Sequence, residues 1–103
     1  MPYLILEYTL AEDYLQRRTT YRAEHLALLE QAHRSGELVM AGALSDPADR
    51  SVLVWTDTDP QAPHRFVSVD PYVANGVVVS WTLRTWNVVV GGASQDGRTS
   101  STR

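Results

Sequence analysis

"SVLVWTDTDPQAPHRFVSVDPYVANGVVVSWTLRTWNV", Ser51 to Val88, decides how this chain folds. Residues 51–56 are rich in β-branched and aromatic side chains and read as a strand. In "DTDPQAPHRFVSVD", Asp59 or Thr58 would cap a short helix with Pro60 in its first turn, a start that also accommodates Pro63. "DPY", Asp70 to Tyr72, then reads as one helical turn. Asp70 caps it by accepting a backbone N–H, and Pro71 takes the first position, where its missing N–H costs nothing. Asn75-Gly76 ends the turn, because both residues tolerate a left-handed backbone. Residues 77–88 form a long closing strand. The stretch is therefore a strand–helix–strand unit.

A similar unit lies ahead of it. Residues 2–10 read as a strand and residues 13–35 as one long helix closed by Gly36. Residues 37–44, "ELVMAGAL", read as a second strand, and "SDPADR" as the turn into the third. The order β-α-β-β-α-β is the split, ferredoxin-like arrangement of the α+β class, with two helices on one face of a four-stranded antiparallel sheet. The strands are apolar on both sides: Leu4, Leu6 and Tyr8 against Tyr3 and Ile5, Val52 and Val54 against Leu53 and Trp55. In the last strand Val77, Val79, Trp81 and Leu83 stand against Val78, Trp86 and Val88. A sheet open to water on one face alternates more cleanly. The bare face is therefore expected to pack on the sheet of an identical subunit.

Composition narrows the rest. A chain of 103 residues with 44% apolar residues suits one folded domain, 1–90, with a modest core. "GGASQDGRTSSTR", 91–103, has no apolar pattern and is expected to be a disordered polar tail. The net charge of −3 comes without a basic cluster, which argues against nucleic acid and anionic membranes as partners. All nine cationic residues are arginines, and there is no cysteine, so thiol catalysis, disulfides and cysteine-bound zinc are excluded. "MPYLILEYTL" has no basic region before its apolar run and does not read as a signal peptide, and no stretch is long enough to span a membrane. A cytoplasmic protein is the expectation.

The long helix carries the functional clue. At about 100° per residue, Gln16, Arg17, Thr20, Glu24, Glu30, Gln31 and Arg34 share a polar side. Tyr14, Leu15, Tyr21, Leu26, Leu28, Leu29 and Ala32 share the apolar side, and Arg18, Arg22 and His25 fall inside it. Buried nitrogen donors need partners, and a carboxylate is the strongest. Asp70, at the junction of the second helix and the last strand, is the inward candidate. A carboxylate beside an imidazole fixes its tautomer, as a general acid/base requires. The ordinary readings stand beside this one. His25 can be a satisfied core histidine, Arg18 and Arg22 can lay their stems on apolar surface, and Trp81 and Trp86 can be core or interface residues. His33 and His64 read as partly exposed, and Ser45 as a turn residue. Three scattered histidines and an aspartate have no metal-ligand spacing, so neither a metal nor another cofactor is expected.

"RAEHL" (Arg22–Leu26), "SGELVMAGAL" (Ser35–Leu44) and "DPYVANGVV" (Asp70–Val78), in this order and spacing, resemble the YCII-related, or YciI-like, family over roughly residues 3–88. The resemblance implies a ferredoxin-like subunit that pairs sheet to sheet as a dimeric α+β barrel. It implies a catalytic pair in a cleft, His25 and Asp70, with Arg22 and Tyr72 beside it, and roles on small, often aromatic, substrates, including elimination of a halide. In "GALSD", Ala43 and Leu44 stand where many relatives carry a proline, which bears on the loop holding Ser45.

The expected function is that of a small metal-independent lyase or isomerase. His25 would move a proton on a small phenolic or enolisable substrate, with Asp70 orienting it. Arg22 would hold an anionic oxygen, while Tyr72, Trp81 and Ser45 complete the substrate contacts. The alternatives are a non-catalytic dimeric module that binds a small ligand, and a structural partner of a larger enzyme.

Overall fold

The computed structural model describes residues 2–92, and the expected tail from residue 93 onward lies outside them. The elements run β1 (Pro2–Leu10), α1 (Tyr14–Arg34), β2 (Leu38–Ala43), β3 (Arg50–Thr56), α2 (Ala62–Val69), α3 (Pro71–Ala74) and β4 (Val78–Asn87). The sheet is antiparallel throughout, in the order β2-β3-β1-β4. This is the ferredoxin-like α+β arrangement, with the DPY turn formed as the short α3. Among the described residues, no helix is long and apolar enough to cross a membrane.

Period-two alternation builds the core. Leu4, Leu6, Tyr8 and Leu10 of β1 point to the helices, where Leu53 and Trp55 of β3 join them. Tyr3, Ile5, Glu7 and Thr9 point the other way. A bulge breaks the alternation of β4: Thr9 pairs with Ser80 but Leu10 pairs with Val78, so Val79 is the extra residue. Val78 thereby joins Val77 in the core and Val79 is turned outward, so those two positions do not follow the strict alternation expected of that strand.

The ends of α1 follow local chemistry. Gly36, at φ +88°, sits just past the helix. Its N–H donates to the His33 carbonyl and the Glu37 N–H to the Ala32 carbonyl, the paired bonds that close a helix on a left-handed residue. Near the start, Arg17 donates to the carbonyls of Asn75 and Gly76 at 3.2 and 2.8 Å. That guanidinium ties α1 to the C-terminal end of α3 and so holds the DPY turn against the helix. The inward line of α1 is Tyr14, Arg18, Tyr21, His25, Leu28 and Ala32, spaced three and four residues apart. Leu15, Arg22 and Leu26, one residue beyond Tyr14, Tyr21 and His25, are turned about 100° away and are exposed, not inward as expected.

Candidate active site

Asp70 is the centre of the site. It ends α2 with an extended backbone and caps α3, where Oδ1 accepts the Tyr72 N–H at 3.1 Å. The bland reading of the DPY turn is thus correct but incomplete. The carboxylate is 1% exposed and holds two further partners. His25 Nδ1 lies 2.8 Å from Oδ1, and the Tyr8 hydroxyl donates to Oδ2 at 2.7 Å. A carboxylate only accepts, so the His25 hydrogen facing it is on Nδ1, and in the neutral imidazole Nε2 is the nitrogen that carries the lone pair. Three donors thus meet one buried anion, brought together from β1, α1 and α3.

Two aromatic contacts fix the plane of the imidazole. The Tyr72 ring stacks on it with centroids 3.7 Å apart and planes 7° from parallel, and Phe66 meets it at an angle, 6.2 Å away. Tyr14 in turn meets Tyr72 edge-on at 6.3 Å.

His25 opens on a cavity of about 300 Å³. Helix α1 supplies Tyr14, Arg18, Arg22, His25, Leu26 and Leu29 to its wall. The strands supply Ala41, Gly42, Ala43, Ser51 and Leu53, and α3 supplies Tyr72. Small residues on β2 leave the space open, while the helix brings the functional groups. Among the described residues, no three His, Asp or Glu side chains converge as a metal site would require.

Burial pushes the Tyr8 phenol far above its ordinary range, and the Asp70 charge and hydrogen bond reinforce this. Burial likewise raises Tyr72, with Tyr14 adding to the effect and the Arg22 and Arg18 charges opposing it. The Tyr8 shift has a measurable consequence. A phenol raised in the folded state contributes stability that is intact below its unfolded value, 10.0, and is lost as pH rises beyond it. The urea midpoint is therefore expected to fall between about pH 9 and pH 11, and to fall less in Tyr8→Phe. Equal slopes in the two proteins would remove Tyr8 as the cause.

Of the residues singled out in the sequence, His25, Asp70, Arg22 and Tyr72 come together. Ser45 and Trp81 do not join them in the chain. Ser45 is exposed in the loop beyond the end of β2, and the serine on the cavity wall is Ser51, which pairs with both Tyr8 and Ala43 across the sheet. Trp81 lies on β4, and β1 separates that strand from the cavity-lining β3. Its ring is 6.0 Å from that of His64. Tyr8, Tyr14 and Ser51 are the wall and support residues that patterning alone assigns to the core or passes over.

A ferredoxin-like domain with a buried carboxylate–imidazole pair opening on a small cavity defines the class of protein. The chain belongs to the family with the YCII-related domain, which matches residues 1–87. No curated protein matches it. Among solved structures it is similar to the 5-chloro-2-hydroxyhydroquinone dehydrochlorinase TftG from Burkholderia phenoliruptrix AC1100, in complex with 2,5-dihydroxybenzoquinone. The identity is 25% over 88% of this chain and 96% of that one, with a TM-score of 0.66. It shares its fold with Agrobacterium tumefaciens protein Atu4242, at 17% identity over 92% and 98% of the chains and a TM-score of 0.57. It also shares it with the NIPSNAP family protein Atu5224 of that organism, at 14% identity over 84% of each chain and a TM-score of 0.56.

Proposed function

We propose that this protein is a small-molecule enzyme in which His25 carries a proton to and from a phenolic or enolisable substrate. The observation that carries this reading is the His25–Asp70 pair: one nitrogen fixed on a buried carboxylate, the other free at the wall of a cavity. Asp70 sets the tautomer and stabilises the imidazolium that forms when Nε2 takes a proton. Arg22 holds an oxyanion of the substrate, and Tyr72 keeps the imidazole in plane. Tyr8 acts one step further back as a positioning residue, holding the second carboxylate oxygen.

The reaction class is proton transfer between oxygen and carbon, with elimination where the substrate carries a leaving group. For a chlorinated hydroxyhydroquinone the balance closes without an oxidant. A hydroxyl proton is given up, the chlorine-bearing carbon takes a proton, and a second O–H is lost as chloride leaves with the C–Cl electron pair. The net loss is HCl, and the product is a hydroxyquinone. The similarity to TftG supports choosing this substrate first. The test is chloride release from 5-chloro-2-hydroxyhydroquinone, with deuterium incorporation into the ring carbons in D₂O as a readout of proton transfer alone. Both are expected in the wild type and lost in His25→Ala. Binding without either product would favour a ligand-binding module instead.

The bare face of the sheet supports a homodimer as the working unit. Tyr3 and Trp86 pair across β1 and β4 with ring centroids 6.5 Å apart, and Trp86 and Met40 remain 47% and 64% exposed. Ile5 and Val52 border a second hollow on this face. An apolar surface of this kind favours burial against a second copy. The wild type is expected to run as a dimer in light scattering, and Trp86→Asp, which would place a charge in the interface, as a monomer. A wild-type monomer would overturn the assignment.

A further inference from the structure

The cavity wall holds two guanidinium groups, Arg18 and Arg22, and no carboxylate. This is unexpected in a chain of net charge −3. Three other arginines have carboxylate partners: Arg17 lies near Asp13, Arg50 near Glu7 and Asp49, and Arg65 near Glu37 and Asp59, while Arg34 and Arg84 make no ion pair among the described residues but do not line the cavity. Among the described residues, neither Arg18 nor Arg22 makes an ion pair. Asp70, the carboxylate behind His25, is 1% exposed, is held by three donors and does not line the space.

The two arginines are four residues apart, one turn of α1, so their heads lie on one face of the helix. Arg18 is also held in place. Its Nη1 donates to the Tyr14 hydroxyl at 3.2 Å, and its guanidinium carbon sits 5.2 Å from the centroid of the Tyr14 ring. Because Tyr14 accepts from Arg18, its own hydroxyl hydrogen is left to donate. Arg18 is half-buried and Arg22 exposed, so water solvates them in the free protein, and a pre-oriented guanidinium fork is available to an anion that enters the cavity.

From this we infer that Arg18, with Arg22 and the Tyr14 hydroxyl, forms an oxyanion clamp that admits the substrate in its ionised form. Arg18 is the specificity-determining residue of that clamp. The chemical class selected is a one-ring organic anion whose charge sits on oxygen: a phenolate, an enolate or a hydroxyquinone anion. A cavity of about 300 Å³ fits a single substituted ring and little more. The clamp sits along α1 from His25, so it fixes the charged oxygen at one end while a remote ring carbon meets Nε2. This inference rests on the proposed site but not on turnover.

The probe is 4-nitrophenol, whose phenolate is yellow and whose ionisation falls near neutral pH, with 4-nitroanisole as the neutral counterpart. Titrated with excess wild-type protein, the nitrophenol is expected to shift toward its phenolate band. A tenfold preference for the anion lowers its apparent pKa by about one unit. Arg18→Gln is expected to weaken phenolate binding about tenfold, as loss of a charge-assisted pair does. Arg18→Lys, which keeps the charge without the fork, recovers part of the loss and shows that the effect is not unfolding. The clamp is overturned if the wild-type spectrum does not move, if nitroanisole competes as well as the phenolate, or if Arg18→Gln binds like the wild type. Anion binding without proton transfer to any ring carbon would leave the clamp standing and remove the acid/base role of His25.

Discussion

Asp70→Ala is expected to destabilise the protein by about 3–5 kcal/mol, the scale for breaking a buried charged network by removing one partner. The cause is what the substitution leaves behind. The Tyr8 hydroxyl, the Tyr72 N–H and the His25 Nδ1–H lose their acceptor together, in a site 1% exposed where water cannot readily replace it. Each stranded donor costs on the order of 1–3 kcal/mol, and relaxation around the small alanine recovers part of the sum. The α3 cap goes with it, which costs about 1 kcal/mol on its own. Asp70→Asn tests the same network differently. The amide oxygen can still accept, but its NH₂ cannot, so Tyr8 must turn its hydroxyl to accept from the NH₂ and lose its own acceptor, or His25 must present a nitrogen without a hydrogen. The asparagine variant is expected to fold with a smaller loss and to let the imidazole turn out of its fixed tautomer. Urea denaturation of both variants and Tyr8→Phe checks the order: alanine worst, asparagine intermediate, phenylalanine mildest at about 1 kcal/mol. An alanine variant as stable as the wild type would mean that the carboxylate is not the hub of the site.

How much of this was legible in the residues depends on which physical rule each one obeys. His25 stands out because three nitrogen-bearing side chains interrupt an apolar helical line, and Asp70 because a buried donor calls for an acid. Both inferences need only the period of a helix and the cost of an unpaired polar group. Tyr8 hides in the opposite way. It has the same alternation as Leu4 and Leu6, so its ring reads as core and nothing in the pattern announces that its hydroxyl meets Asp70. Ser45 and Ser51 can be ranked only once register is known, since pairing with Ala43 and Tyr8 puts Ser51 on the helix-facing side. Trp81 requires the strand order, which places β1 between it and the cavity-lining strand. The bulge at Val79 is invisible to any strict alternation. Long-range pairing thus decides the details of the wall, while local periodicity suffices for the element order and the central pair.

The catalytic prediction follows from the same geometry. His25→Ala is expected to lower kcat/KM by about 10²–10⁴-fold on a substrate the wild type turns over, the usual contribution of a positioned acid/base. Asp70 retains Tyr8 and the Tyr72 N–H as donors when the imidazole is gone, and urea denaturation of the variant separates any loss of folded protein from the loss of rate. Binding is not the reason, since the arginines on the cavity wall remain. The loss should therefore fall on kcat with KM nearly unchanged, the mark of an interaction realised in the transition state. Added imidazole should restore part of the activity by entering the space the side chain vacates, with Tyr72 still present as a stacking surface. Rescue that scales with the neutral fraction of the added imidazole would identify proton acceptance as the step. Steady-state kinetics of wild type, His25→Ala and Asp70→Asn on one substrate separates the roles: without Asp70 the base remains but its tautomer is no longer held, so the asparagine variant should keep more activity than the alanine variant. If His25→Ala retains activity within about threefold, the imidazole is not the acid/base, whatever holds it in place.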